Sequence, residues 1–464
     1  MSKRKLMLGF SSTRRGDGAS ALIGALAVSA AMLLGGGGTP APLAEMGLQL
    51  LIAVLFSLWL IWFPVVPQGQ MRLALVISGM LLAVPVIQLV PLPPVFWHAL
   101  PGRELERASL GLIGAADSWR PLSMAPARTV NALLALVPPV VVLLITGTLS
   151  SSGRMMVVRT IAGMSLLAVV VGAAQTTGGE DNPLRFYTPD VGYLNGFQAN
   201  HNSAADVLLI GMVAYVVAVQ DWIERARHSP TRLVAFAILL TGVALLSIGV
   251  VLTASRAGTA LLPIAWAGVW AATRQTWGFP ARKLALGAVV AGLALAAALF
   301  LLRGNAVLSS LLARYEFSRE LRPQIWVDSL HAARTYYPVG AGLGGFLPVF
   351  LASERLEAVH PAVPNRAHND YLELAIEAGV LGFLVLAVLV ALLAPLLVRQ
   401  LRAPSSRLRR QAIFVAATFT IVALHSQVDY PMRSIALACI AAASAGLLVP
   451  VARGPQGADV PVET

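Results

Sequence analysis

The sequence predicts an all-α polytopic membrane protein, and three observations carry that prediction. Of 464 residues, 57% are apolar and only 12% are charged, about half the charged share usual for a soluble domain. Apolar runs of roughly 18 residues or more recur from end to end, each long enough to cross a bilayer as a helix. The runs are continuous rather than alternating, which favours helices over a closed barrel as the way to satisfy every backbone polar group in lipid.

About twelve spans are expected from this pattern. They begin near Ala19, Gly47, Arg72, Val130, Met155, Ala204, Leu233, Thr259, Leu284, Ile376, Gln411 and Ser434. The first apolar run, 19–34, follows Lys3, Arg4, Lys5, Arg14 and Arg15. A secretory signal peptide has that order, but no clear small-residue cleavage site follows and many spans do, so the run reads as the first anchor.

Charge sorts the loops. With the N-terminus in the cytoplasm, the inner loops hold Arg154 and Arg159; Arg225, Arg227 and Arg232; Arg274, Arg282 and Lys283; and Arg399, Arg402, Arg407, Arg409 and Arg410. The outer loop 39–46 has no basic residue. This is the positive-inside pattern, and it places both termini in the cytoplasm. It also accounts for the net charge of +12 without a nucleic-acid partner. A single cysteine, Cys439, leaves no disulfide framework and no thiolate metal site. The expected organisation is a basic cytoplasmic tail (1–18), a transmembrane domain (19–452) with a large outer loop inside it (303–375), and a second cytoplasmic tail (453–464).

Three outer segments are long: 93–128 with Trp97 and Trp119, 176–202, and 303–375, the largest and most polar. Loops of such length are uncommon and often functional. Part of the third, 323–336, reads as helical, with Ile325, Leu330 and Ala333 loosely periodic.

The stretch HNDYLELAIEAGVLG (368–382) ends that loop and enters the tenth expected span. If Asn369 caps a helix, Glu373 and Glu377 share one face, four residues apart. His368 then sits just before the helix, where an imidazole can accept a proton. The plainer reading is a solvated histidine and an interfacial rim of carboxylates. Upstream, SRAG (255–258) puts Arg256 between two apolar runs. An arginine there marks a functional partner or simply snorkels to the interface. RPQIW (322–326) adds Arg322 and Trp326, with Arg314 and Arg319 before it. Arginine's planar fork suits phosphate oxygens, and a solvated basic helix face is the alternative. Arg256, Arg322 and His368 all fall on the expected outer side: two fixed cations and one base, the set needed to hold a diphosphate while deprotonating a hydroxyl.

Other motifs are weaker or negative. PVGAGLGGF (338–346) contains a literal G-x-G-x-x-G, but no βαβ unit surrounds it, so it reads as a tight turn that allows close backbone approach. GFQANHNSA (196–204), with Asn200 and Asn202, and the cluster 425–433 each either line a site or close a helix end. No D-x-D pair occurs, nor a Walker loop, H-E-x-x-H or G-x-S-x-G, which removes the usual metal–nucleotide and hydrolase chemistries.

Taken in order, GFQANHNSA, SRAG, RPQIW, PVGAGLGGF and HNDYLELAIEAGVLG resemble the O-antigen ligase and O-antigen polymerase superfamily over roughly 192–433; the first four spans match only in style. The resemblance implies an all-helical GT-C-type membrane glycosyltransferase with a large, partly helical periplasmic loop. Such an enzyme transfers a glycan from undecaprenyl diphosphate to an acceptor hydroxyl, without metal or other cofactor. The acceptor is lipid A-core for a ligase, another glycan for a polymerase, or a protein; a polysaccharide transporter or flippase is the reading from another class. It further implies an inner-membrane location with a periplasmic active site. Carried over, Arg256 and Arg322 bind the donor diphosphate and His368 activates the acceptor. Glu373, Glu377, Asn369, Asp370, Trp326, Asn200 and Arg319 are expected in supporting positions.

Overall fold

The computed structural model describes residues 2–37, 42–61, 68–176, 182–187, 193–226, 229–277, 321–359 and 363–450. The span expected from Leu284, the residues Arg227, Arg282, Lys283, Arg314 and Arg319, and the tail 453–464 lie outside them.

Helices α1 (Ser2–Leu34), α2 (Pro42–Ile61) and α3 (Gln68–Leu89) open the chain. A segment of short elements follows. Its two-residue strands β1 (Pro91–Leu92) and β2 (Arg120–Pro121) pair antiparallel, with Pro91 opposite Pro121 and Leu92 opposite Arg120. Between them lie α4 (Pro94–Trp97) and α5 (Glu104–Leu112). Trp97 is buried and its indole N–H donates to Ser118 O, whereas Trp119 is exposed. Next come α6 (Pro126–Thr148), α7 (Ser151–Gln175), α8 (His201–Ala226), α9 (Arg232–Leu252) and α10 (Arg256–Trp277). The third long segment supplies α11 (Arg322–Thr335), α12 (Phe346–Ser353) and a 3-10 turn, Leu356–Ala358. Helices α13 (Asp370–Leu401), α14 (Ser406–His425) and α15 (Ile435–Leu448) close the fold, with a 3-10 turn, Pro431–Arg433, before the last.

Among the described residues, eight helices are long and apolar enough to cross a membrane: α1, α2, α3, α6, α7, α8, α9 and α13. The spans expected near Thr259, Gln411 and Ser434 coincide with α10, α14 and α15. These fall outside that group for different reasons. The first turn of α14 carries Arg407, Arg409 and Arg410, α10 carries Arg256 and Arg274, and α15 has only 14 residues. Leucine, isoleucine and valine side chains of α2, α9 and α13 stand exposed, among them Leu50, Val54, Ile238, Ile248, Leu384 and Val388. Such surface suits acyl chains rather than water.

Helix α8 is the hub, packing against α7, α9, α10 and α14. Small residues allow these approaches, as expected where van der Waals packing rather than hydrophobicity drives association. A Cβ at Gly211 would lie 2.2 Å from the Ser165 side chain of α7, and Ser165 Oγ donates to Val207 O. Helices α11 and α12 have a separate small core of Ala332, Tyr336, Phe346, Val349 and Phe350, closed from beneath by Ala367 and Ile376.

The glycine turn after α11 does what its composition predicts. Gly340, Gly342 and Gly344 all have positive φ, a region glycine enters without steric cost. The turn lies against a break in α13 at Gly379 (φ 54°, ψ −143°). A Cβ at Gly379 would sit 2.1 Å from Pro338 O. The break frees helix carbonyls, and the turn satisfies them: Ala341 N–H donates to Ile376 O and Gly342 N–H to Glu377 O. Gln88 of α3 completes the joint, donating from Nε2 to Glu377 O and accepting from Leu343 N–H. Breaks of this kind persist only where protein re-satisfies the backbone.

Candidate active site

The first turn of α13 positions the central histidine. Asn369 is the N-cap, and its side chain accepts from Leu372 N–H at 2.9 Å. Its Nδ2 donates to Gln427 O in the loop between α14 and α15. Asp370 ties the same two pieces: its backbone N–H reaches Ser426 O and Asp429 O, and its carboxylate accepts from Ser426 Oγ and Met432 N–H. His368, immediately before the cap, is thereby set against that loop. Its Nδ1 lies 2.9 Å from Asp429 Oδ1, and its ring meets Tyr430 edge-on at 5.0 Å.

Asp429 is buried, and His368 is partly exposed. Burial works to raise the Asp429 pKa, but the hydrogen bond from His368 and the charges of His368, His425 and Arg322 outweigh it and hold the carboxyl below its ordinary value. Asp429 is therefore an ionised acceptor at neutral pH. That fixes the imidazole with Nδ1–H toward the carboxylate and leaves Nε2 as the basic nitrogen. Tyr430 is pushed up to about 12, by burial first and by Asp429 next, against the hydrogen bonds of Asn365 and Asn200. It stays a neutral phenol.

The other motifs converge on the same loop. Asn200 Nδ2 donates to Asp429 Oδ2 at 3.2 Å, and Asn200 Oδ1 accepts from Asn202 N–H. Asn202 Oδ1 accepts from Ser255 Oγ at 2.7 Å. Ser255 in turn caps α10, accepting from Gly258 N–H, so Arg256 is the first residue of a helix anchored to this network. Arg322 opens α11 and lies close enough for its charge to act on both Asp429 and His425. Trp326, one turn on, donates from its indole to Ala367 O, the residue before His368. Among the described residues, the two non-glycine positions with positive φ are Ala254 (54°) and His368 (50°). His368 is an expected site residue and Ala254 lies two residues before another, Arg256, and such strain tends to collect at functional sites.

Glu373 and Glu377 share a face as predicted, but that face is buried in ion pairs rather than open to a ligand. Arg433 Nε lies 3.1 Å from Glu373 and Nη2 lies 2.7 Å from Glu377. Arg366 reaches Glu373 at 2.8 Å, and Phe346 N–H donates to Glu377. Burial opposes the Arg433 charge, but Glu373, Glu377 and Asp370 outweigh it and push its pKa upward. These groups brace α13, α12 and the 426–434 loop.

Asp429, Arg433 and Arg366 carry interactions that sequence reasoning did not assign. A second pair was also missed: His425 Nδ1 stands 2.7 Å from Asp206 Oδ1, both fully buried. The cluster 425–433 was visible as polar residues at a helix end. Nothing local pairs its members with residues 61 or 219 positions away.

Residues 241–387 match the family model described as O-antigen ligase. A search of the curated proteins finds no match. The matched segment contains Arg256, Arg322 and His368, while Asn200, Asp429 and Arg433 lie outside it. Together with the many apolar helices, this match supports the chain's membership of the O-antigen ligase superfamily.

Proposed function

We propose that the protein transfers a glycan from undecaprenyl diphosphate to an acceptor hydroxyl at the periplasmic face of the inner membrane, as an O-antigen ligase acting on lipid A-core. The observation that carries this reading is the His368–Asp429 pair on a loop network that also fixes the helix bearing Arg256 and feels the charge of Arg322. The superfamily assignment supports a ligase- or polymerase-type role in O-antigen processing.

In the proposed step, the acceptor hydroxyl gives its proton to His368 Nε2 as its oxygen forms a bond to the anomeric carbon. The bond from that carbon to the diphosphate oxygen breaks, and the diphosphate leaves with the electron pair. Attack from the face opposite the leaving group inverts the anomeric centre. Arg256 and Arg322 stabilise the developing negative charge. Fixed cations in a site shielded from water act strongly there, so the chemistry runs on a GT-C-type helical scaffold without a metal. Asp429 keeps the imidazole oriented and stabilises its protonated form, and Asn200 holds the second oxygen of Asp429. Helix α11, held beside His368 by the Trp326–Ala367 hydrogen bond, limits water, the competing acceptor.

The test is product analysis with purified protein, a lipid diphosphate-linked glycan and lipid A-core, in the presence of chelator. A ligase joins glycan to the core. Lengthening of the lipid-linked glycan with the core untouched would assign the same site to a polymerase instead. No transfer of either kind would overturn the proposal.

A further inference from the structure

Helix α5 turns its ion pairs inward and its apolar side outward. Glu106 bridges Arg103 at 2.5 Å and Arg120 at 3.2 Å. Arg103 is buried and donates to the carbonyls of Pro121 and Leu122. The outward side carries Leu105, Ala108 and Leu112, at the i, i+3, i+7 spacing of a single helical face. Leu105 and Leu112 are 70% and 89% exposed. Arg107, also exposed, falls on the other side of the helix, since two residues turn the face by more than half a circle. A helix resting on a protein in water has the reverse arrangement, with its apolar stripe against the core.

The neighbouring turns repeat the pattern. Val95, Phe96, Ile113 and Trp119 are exposed as well. Charge does not explain what they face: over 91–125, Arg103, Arg107 and Arg120 balance Glu104, Glu106 and Asp117. Whatever covers this surface meets it through apolar contact.

The surface continues that of two membrane-crossing helices. Only Val90 separates α3 from β1, and only 122–125 separate β2 from α6. Val86, Ile87 and Val90 are exposed at the end of α3 and lead directly to Val95 and Phe96; between 86 and 97 the one polar residue, Gln88, is buried. At the start of α6, Val130 and Leu134 are exposed too. Apolar surface that runs unbroken from the end of a span, with a tryptophan beside it, matches the boundary between headgroups and acyl chains.

We infer that α5, with Val95, Phe96 and Trp119, lies in the surface of the lipid bilayer itself, on the side of the candidate active site. The same segment is joined to the elements of that site. A Cβ at Gly102 would stand 2.6 Å from the Tyr336 ring at the end of α11, and Met124 N–H donates to Ala341 O in the glycine turn. The bilayer surface thereby sets the height of α11, the helix that carries Arg322 and Trp326. The inference does not draw on the glycan-transfer reading, and its test needs no activity.

The test is site-directed spin labelling of the full chain in phosphatidylcholine vesicles. The single cysteine, buried Cys439, is first removed as Cys439→Ala. Leu105→Cys, Leu112→Cys and Arg107→Cys are then added one at a time, with melting temperatures as the fold control. Collisions are measured with oxygen, which concentrates among acyl chains, and with a neutral nickel chelate, which stays in water. The ratio of oxygen to nickel accessibility is expected to be about tenfold higher at Leu105 and Leu112 than at Arg107, as for side chains set beneath the headgroups. A ratio no higher at the two leucines than at Arg107 overturns the inference. Exclusion of both reagents from the leucines also overturns it and assigns the face to protein, a second copy or another chain. If Cys439→Ala does not fold, the wild-type chain decides the matter in vesicles of lipid brominated just below the headgroup. Fluorescence present in wild type and missing from Trp119→Phe is then quenched, and an unquenched Trp119 overturns the inference.

Discussion

His368 Nδ1 lies 2.9 Å from Asp429 Oδ1, joining the residue before α13 to the loop between α14 and α15. In the proposed mechanism the carboxylate sets the imidazole tautomer and supports its positive charge after proton transfer. Asp429→Asn keeps the shape but removes the charge. The expected outcome is a fall in kcat of about 10²-fold, within the range attributed to positioned general bases, with little change in donor KM. Steady-state kinetics on the purified variant checks this.

The depressed pKa of Asp429 has a definite sign in stability. The folded carboxyl ionises more readily than the unfolded one. Its contribution is fully present above the unfolded value of about 3.9. It is lost as pH falls through the lower folded value, held down by His368, His425 and Arg322 against the opposing effect of burial. The melting-temperature gap between wild type and Asp429→Asn therefore does not close between neutral pH and about pH 5 and narrows only in stronger acid. A gap that closes between pH 7 and 5 would contradict the assignment.

Arg433 is paired with Glu373 and Glu377, both fully buried. Removing one partner of a buried ion network leaves charge uncompensated and costs about 3–5 kcal/mol. Arg433→Met is expected to lower the melting temperature sharply. Adding Glu377→Gln to it should recover part of the loss, since one stranded charge is then gone. Thermal unfolding in detergent reads both.

At the other end of the bundle, Arg154 is buried and donates to four backbone carbonyls: Leu149 O, Leu447 O, Val449 O and Gly147 O. It closes the C-terminal ends of α6 and α15 with one guanidinium. Arg154→Ala strands these carbonyls and is expected to cost about 3 kcal/mol or more, since hydrogen bonds from charged donors are worth more than neutral ones. Protein that stays folded should keep its donor KM, because the residue is remote from His368. Melting curves paired with kinetics separate the two effects.

The helices were readable because each announces itself locally. A run such as 378–398 is apolar throughout, and the cap of its helix, Asn369, is a residue type that favours the position. The tight turn at 338–346 was readable from its glycines. The break at Gly379 was not, because it depends on Pro338 and Gln88 arriving from other segments to take up the freed backbone groups. The same reason hides the partners of His368, Glu373 and Glu377. Asp429 and Arg433 sit some sixty residues further along the chain, and no periodicity links them. Sequence motifs marked the candidate residues, and the fold supplied their partners.

The most direct test of the central claim compares wild type with His368→Ala in reconstituted transfer from a lipid diphosphate-linked glycan to lipid A-core, with chelator present. The account predicts transfer by wild type and its loss, by about 10²-fold or more, in a variant that melts at the wild-type temperature. A folded His368→Ala protein that transfers glycan at the full wild-type rate would contradict it.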